Sequence, residues 1–229
     1  MSLQNLGREF LTANSDMKLA YFWIQTLPSS SWLSGSTKFL IGPSSGLQME
    51  TTLSHQSKAE LTPDGQFSLK ESTGQEIWNA NVGSATSASM LDTGNFILSN
   101  ADTGTIWQSF DNPTDTILPG QVVNQTTTIF AKLMDDDYSR GRFVLTLQDD
   151  GNLVLNPVAY PTTFKYSAYW STMTPAAGMN HLVFNGTTGS LYLSFTNSSM
   201  VSVFPAPAIT GDNYLRATLD PDGVFRFVF

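Results

Sequence analysis

The chain has 229 residues, with eleven Lys and Arg against nineteen Asp and Glu for a net charge of −8, and only 13% of its residues are charged. That balance leaves no basic stripe to follow a phosphate backbone or an anionic membrane, which argues against nucleic acid as a partner. With no cysteine and only His55 and His181, disulfides, thiol catalysis, histidine metal clusters and histidine triads have nothing to be built from.

The first apolar run, LAYFWIQTL at 19–27, falls far short of the roughly 20 residues that span a bilayer and reads as a core strand. Starting from Met17 it also has the outline of a weak signal-like segment, interrupted by Gln25. From there on, short runs of Phe, Val, Leu and Thr alternate with polar residues between Gly, Asn, Asp and Pro clusters, and helical periodicity is absent. The chain is predicted to be all-β.

A repeat runs through it. WLSGSTKFLIG at 32–42 is a loose copy, followed by LTPDGQFSL at 61–69, MLDTGNFIL at 90–98, LQDDGNLVLN at 147–156, the looser FNGTTGSLYL at 184–193, and ATLDPDGVFRFVF at 217–229. Glycines 65, 94, 151, 189 and 223 anchor five of them, three copies fall in each half, and Trp78, Trp107 and Trp170 follow three of the copies. A short antiparallel sheet cannot bury its apolar face alone, so three sheets facing one axis, each closed by an indole, is the architecture this pattern predicts. Unrelated Asp-Gly hairpins would give the same turns but not the tryptophan spacing.

Further features fall between the copies. Asp135, Asp136 and Asp137 alternate faces of an extended chain, lack Ca²⁺-loop spacing and read as a solvated turn. Asp149 and Asp150 point to opposite strand faces, a poor pair for glycoside hydrolysis, which needs facing carboxyl groups. Asn124, Asn185 and Asn197 open N-glycosylation sequons, whereas Asn112 is excluded by Pro113. No catalytic residue, metal site or cofactor is expected.

The stretch IWQSFDNPTDTILPGQ at 106–121, preceded by MLDTGNFIL and followed by YSRGRFVLTLQDDGNLVLN, SAYWSTMT and RATLDPDGVFRF, resembles the bulb-type lectin region of plant S-domain (G-type lectin) receptor-like serine/threonine kinases. The resemblance covers roughly residues 60 to 229 and implies tandem β-prism II modules, each of three antiparallel sheets, at 1–118 and 119–229. The segments LG at 6–7, LTAN at 11–14 and SSSWLSGSTKFLIG at 29–42 are similar to the family's opening, while PSSGLQMETTLSHQSK at 43–58 stands where a pair of Trp-bearing strands belongs. The first module is therefore expected to be divergent or short of strands, and an unpaired edge favours association with a second copy or a receptor partner. No phosphate loop, HRD or DFG motif occurs, so kinase activity is expected only of a longer protein.

Mannose-binding members of that family share Q-x-D-x-N-x-V-x-Y. Here Gln148, Asp150, Asn152 and Val154 match and Asn156 takes the Tyr position. Strand alternation puts these five on one face, projecting outward, while Leu153 and Leu155 enter the core. A carboxylate between two amides suits the vicinal hydroxyls of a sugar. By resemblance, Asp150 and Asn152 hold the axial 2-hydroxyl, Gln148 the 3-hydroxyl, and Val154 the apolar face. The function implied is non-catalytic recognition of mannose-type glycans or glycoproteins, in an extracellular or cell-surface setting and with no membrane insertion by this chain. The alternatives are a protein-recognition or dimerisation module whose sugar site has degenerated and, more remotely, a glycan-active enzyme.

Overall fold

The computed structural model describes residues 37–38, 52–53, 58–70, 73–102, 104–125, 127–135, 137, 140–160, 162–174, 180–207 and 215–228. The expected strand at 19–27, the segments at 6–7 and 11–14, most of 29–58 with His55, and Asp136 lie outside the described residues. Contacts divide the chain into two compact units, the first ending at Ser109 and the second beginning at Phe110. Among the described residues the only helical element is one 3₁₀ turn, Ser109–Asp111; everything else regular is strand.

In the first unit, β1 (Thr37–Lys38) pairs with β2 (Thr52–Leu53). One three-stranded antiparallel sheet is formed by β3 (Lys58–Leu61), β4 (Phe67–Lys70) and β5 (Glu76–Asn79), and a second by β6 (Ser87–Met90), β7 (Phe96–Asn100) and β8 (Gly104–Gln108). Their buried faces supply Phe67, Phe96 and Leu98, against which Trp78 and Trp107 pack. The two indoles meet edge to face at 5.8 Å, an arrangement worth about 0.5–1.5 kcal/mol beyond area burial.

The second unit contains β9 (Thr116–Ile117), β10 (Val122–Asn124), β11 (Thr128–Lys132), β12 (Arg140–Leu147), β13 (Leu153–Pro157), β14 (Trp170–Ser171), β15 (Asn180–Phe184), β16 (Leu191–Phe195), β17 (Met200–Phe204), β18 (Arg216–Leu219) and β19 (Phe225–Val228). They form three antiparallel sheets, ordered β10-β15-β16-β17, β11-β12-β13-β14 and β19-β18-β9. All three bury alternate side chains in one core that includes Ile129, Leu145, Leu153, Phe184, Leu191, Leu219 and Phe225. Residues 110–118 lie in this unit, where Ile117 of β9 faces Ala217 of β18 and both are fully buried.

Four copies of the repeat are hairpins with one shared turn. At Thr62, Leu91, Gln148 and Asp220 the N–H donates to the carbonyl four residues on, and the glycine N–H three residues on donates back. A type I turn followed by a left-handed residue requires this pattern. Gly223, at φ +81°, shows why that residue is glycine: a Cβ there would lie 2.7 Å from the Phe143 ring.

Trp78, Trp107 and Trp170 occupy one position of the repeat, opposite Leu69, Leu98 and Leu155. The expectation that each indole closes a core holds for the first two and not for Trp170, which is 40% exposed. It sits on a two-residue edge strand, and the second core is closed by the rings of Phe184, Phe204, Phe225 and Phe227 instead.

The NPTDTILPGQ stretch is architectural. Asp115 is buried, its carbonyl accepts the Leu219 N–H at 2.8 Å, and burial pushes its carboxyl up to about 6 against the pull of Thr116, Lys132 and Thr114. Buried Gln121 accepts from the Leu118 N–H at 3.0 Å and donates to the Phe110 carbonyl at 2.9 Å.

Candidate functional site

Gln148, Asp150 and Asn152 lie on the turn between β12 and β13, which Gly151 closes at φ +91°. Gln148 and Asp150 are exposed and Asn152 is half-buried. The Asp150 carboxylate accepts the Asn152 N–H through Oδ1 and the Asn152 Nδ2 through Oδ2, both at 2.9 Å. Asn152 Oδ1 in turn accepts the Thr174 N–H at 2.6 Å. Each carboxylate oxygen keeps a second lone pair and Asn152 a second amide proton, so the turn presents acceptors and a donor side by side in a fixed arrangement.

Val154 and Asn156 do not project with them. The core side of β13 is as expected, with Leu153 and Leu155 inside, but Val154 is 3% and Asn156 7% exposed. Over Asn156 lies an arm, the stretch between β13 and β14, which leaves β13 at Pro157 and folds back. Val158 bridges Lys165, the Tyr166 N–H donates to the Pro157 carbonyl at 2.9 Å, and Asn156 Nδ2 donates to the Tyr166 carbonyl at 2.9 Å. Lys165 reaches back so that Nζ lies 2.9 Å from the hydroxyl of Thr146, the residue opposite Val154. Burial lowers the pKa of that ammonium.

This arm is the feature that reading the sequence missed, although a signal for it exists. Trp78 and Trp107 each follow their turn glycine by thirteen residues (65 to 78, 94 to 107), whereas Trp170 follows Gly151 by nineteen. The six extra residues lengthen the connection into the arm.

The other copies of the turn are occupied by their own side chains. Arg226 pairs with Asp222 through Nη1 and Nη2 at 2.9 and 2.6 Å and with Asp220 at 2.7 Å, holding the Asp222 carboxyl down to about 2. Buried Asn95 donates to Gln108 Oε1 at 2.8 Å and accepts from the Ser109 hydroxyl at 3.1 Å. In the remaining copy, Thr62 accepts the Gln66 N–H at 3.1 Å and donates to the Gln66 carbonyl.

Among the sequon residues, Asn124 is exposed at the end of β10 with Oδ1 at 2.9 Å from His181 Nδ1. Asn185 and Asn197 accept backbone N–H groups of their own turns through Oδ1, from Thr187 and Thr188 in one case and Ser199 in the other. Among the described residues no cluster of three or more His, Cys, Asp or Glu is disposed to hold a metal, and no helix is long and apolar enough to cross a membrane.

A family model described as D-mannose binding lectin matches residues 48–135, a span that ends before the turn at Gln148. The chain is 50% identical over 173 residues to the G-type lectin S-receptor-like serine/threonine-protein kinase LECRK1 of Oryza sativa subsp. japonica, covering 73% of this chain and 21% of that protein. It is 48% identical over 164 residues to LECRK2 of the same subspecies, covering 71% and 20%. The chain thus spans about a fifth of the length of the curated relatives it matches. A solved structure of the mannose-specific agglutinin from snowdrop (Galanthus nivalis) bulbs, complexed with methyl-α-D-mannoside, is 17% identical, with a TM-score of 0.37 over 50% of this chain and 89% of that one.

Proposed function

We propose that the chain, 50% identical over 173 residues to a plant G-type lectin S-receptor-like serine/threonine-protein kinase, is a bulb-type lectin region of β-prism II fold and that it recognises mannose-type glycans outside the cell without catalysing a reaction. The observation that carries this reading is the pre-set turn at Gln148, Asp150 and Asn152, where an exposed carboxylate and two amides match the donor and acceptor pattern of adjacent sugar hydroxyls. Because Asp150 and Asn152 already hold one another, binding a sugar costs little further ordering of these side chains. Val154 and Asn156 are buried, so the contact is smaller than the five-residue motif implies. Asn124, Asn185 and Asn197 are glycosylation sites in this reading, which intact-mass measurement of protein secreted from plant cells checks.

Titration calorimetry with methyl α-mannoside tests the proposal. Binding near the millimolar range, about −4 kcal/mol, that Asp150→Ala abolishes is the expected result; a folded sample that binds no saccharide retires it. The burial of Val154 and Asn156 specifically favours a second reading, a protein-recognition or dimerisation module, and that reading predicts concentration-dependent self-association or receptor capture untouched by Asp150→Ala.

A further inference from the structure

The arm and the start of β14 expose a run of aromatic side chains. Tyr160, Phe164, Tyr166, Tyr169 and Trp170 are all exposed within eleven residues, and Phe164 and Tyr166 are the most open of them at 65% and 55%. Chain alternation around Lys165 produces this: with the lysine turned inward to Thr146, its two neighbours face away from the sheet. Their rings meet at 5.5 Å and 83°, forming a right-angled corner.

The corner is held in place. The Ala159 N–H donates to the Phe164 carbonyl at 2.8 Å, the Thr163 N–H to the Ala159 carbonyl at 2.7 Å, and Tyr166 is bonded through both its N–H and its carbonyl. Thr163, a β-branched residue, sits at φ +59°, a conformation that persists only where its surroundings over-determine it. Backbone strain and several hydrogen bonds are thus spent on placing two rings in water, where they gain nothing from the core.

We propose that the Phe164–Tyr166 corner is a saccharide-stacking platform, and that with Gln148 and Asp150 it forms a two-point site for a short neutral oligosaccharide. A pyranose presents one face of C–H bonds with slight positive charge, which an aromatic face attracts through its negative quadrupole. The Tyr166 hydroxyl offers the adjoining donor and acceptor. Apart from the inward-turned Lys165, residues 153–174 carry no charge, so the surface suits an uncharged ligand. The turn at Asn152 and the arm root at Asn156 lie four positions apart along the strand, about 13 Å, the reach of a short oligosaccharide. That spacing is fixed at both ends, by Thr174 on Asn152 and by Trp170 opposite Leu155.

This proposal rests on the glycan-binding reading, and a matched titration separates the two. Mannotriose and methyl α-mannoside are titrated into the chain, Asp150→Ala, the double variant Phe164→Ala/Tyr166→Ala, and Phe164→Leu, which keeps apolar bulk without a flat face; thermal melts confirm that each is folded. Expected is a loss of about tenfold in mannotriose affinity for both ring variants, with methyl α-mannoside unchanged and both ligands lost in Asp150→Ala. Ring variants that bind mannotriose like the parent, while Asp150→Ala does not, overturn the platform and leave the turn standing. Mannotriose binding that needs the rings and ignores Asp150 keeps the platform and retires the turn. Loss of self-association in the ring variants, with saccharide binding unchanged, assigns the rings to a protein interface and overturns the proposal.

Discussion

Asn156 donates its side-chain amide to the Tyr166 carbonyl across 2.9 Å, while its own Oδ1, equally buried, has no hydrogen-bond partner among the described residues. The residue in the family's tyrosine position is therefore a clasp for the arm. Asn156→Ala is expected to lower stability by about 1 kcal/mol in urea titration and to speed amide exchange at Ala159, Thr163 and Tyr166. Asn156→Tyr, which restores the family residue, is expected to cost more, about 1–3 kcal/mol, because the ring must fit space that the chain already fills. Unchanged exchange in both variants would show that the arm is held without Asn156.

Gly223 and Gly74 share a left-handed backbone, φ +81° and +86°, but not their surroundings. A Cβ at Gly74 meets nothing within 4 Å, whereas one at Gly223 runs into Phe143, and the Tyr169 hydroxyl donates to the Gly223 carbonyl. Gly74→Ala is expected to cost about 1–2 kcal/mol, the conformational penalty alone, and Gly223→Ala about 1–3 kcal/mol more, since the ring has to move. Equal melting shifts for the two variants would contradict this.

The three tryptophans differ in the same way. Trp107 is packed edge to face on Trp78 at 5.8 Å and on Phe96 at 6.2 Å, so Trp107→Ala is expected to destabilise the first unit by about 3–5 kcal/mol. Trp170→Ala, at the corresponding but more exposed position, is expected to cost less than half as much by denaturant titration of the second unit.

Burial of Asp115 sets a pH dependence whose sign is fixed. Its folded pKa, about 6, lies above the unfolded value of 3.8, so the folded state binds the extra proton between those limits. Stability is expected to fall as pH rises from about 4 to 6, by up to about 3 kcal/mol, and to level off above. The Asp222–Arg226 pair acts in the opposite sense and below that window, because a carboxyl held near 2 contributes stability that is lost only on further acidification. Urea titrations across pH 4–8 should show the slope in the parent and its absence in Asp115→Asn.

The hairpins were legible because a glycine at a left-handed turn, with an acidic residue before it at Gly65, Gly94, Gly151 and Gly223, constrains the chain locally, and the pairings at these turns and at Gly189 follow directly. Leu153 and Leu155 were legible for the same reason, since period-two alternation decides which side is core. The outer face was not. Alternation says which way Val154 and Asn156 point and nothing about what lies over them, and the arm over Asn156 is fixed by contacts between Lys165 and Thr146 and between Tyr166 and Asn156, nineteen and ten residues apart. The pairing of β9 was not legible for a related reason: its partner is β18, about a hundred positions away.

Leu69 and Trp78, like Leu98 and Trp107, pair nine positions apart, and Leu155 and Trp170 fifteen. Loop-closure entropy grows only with the logarithm of length, so the longer excursion costs about 0.5 kcal/mol more than its two counterparts. The strands on either side fix where the excursion begins and ends while leaving its outward residues unconstrained by the hydrophobic interior. Related chains are thus free to diversify what they display at this position, and to do so without reopening how the sheet beneath it folds.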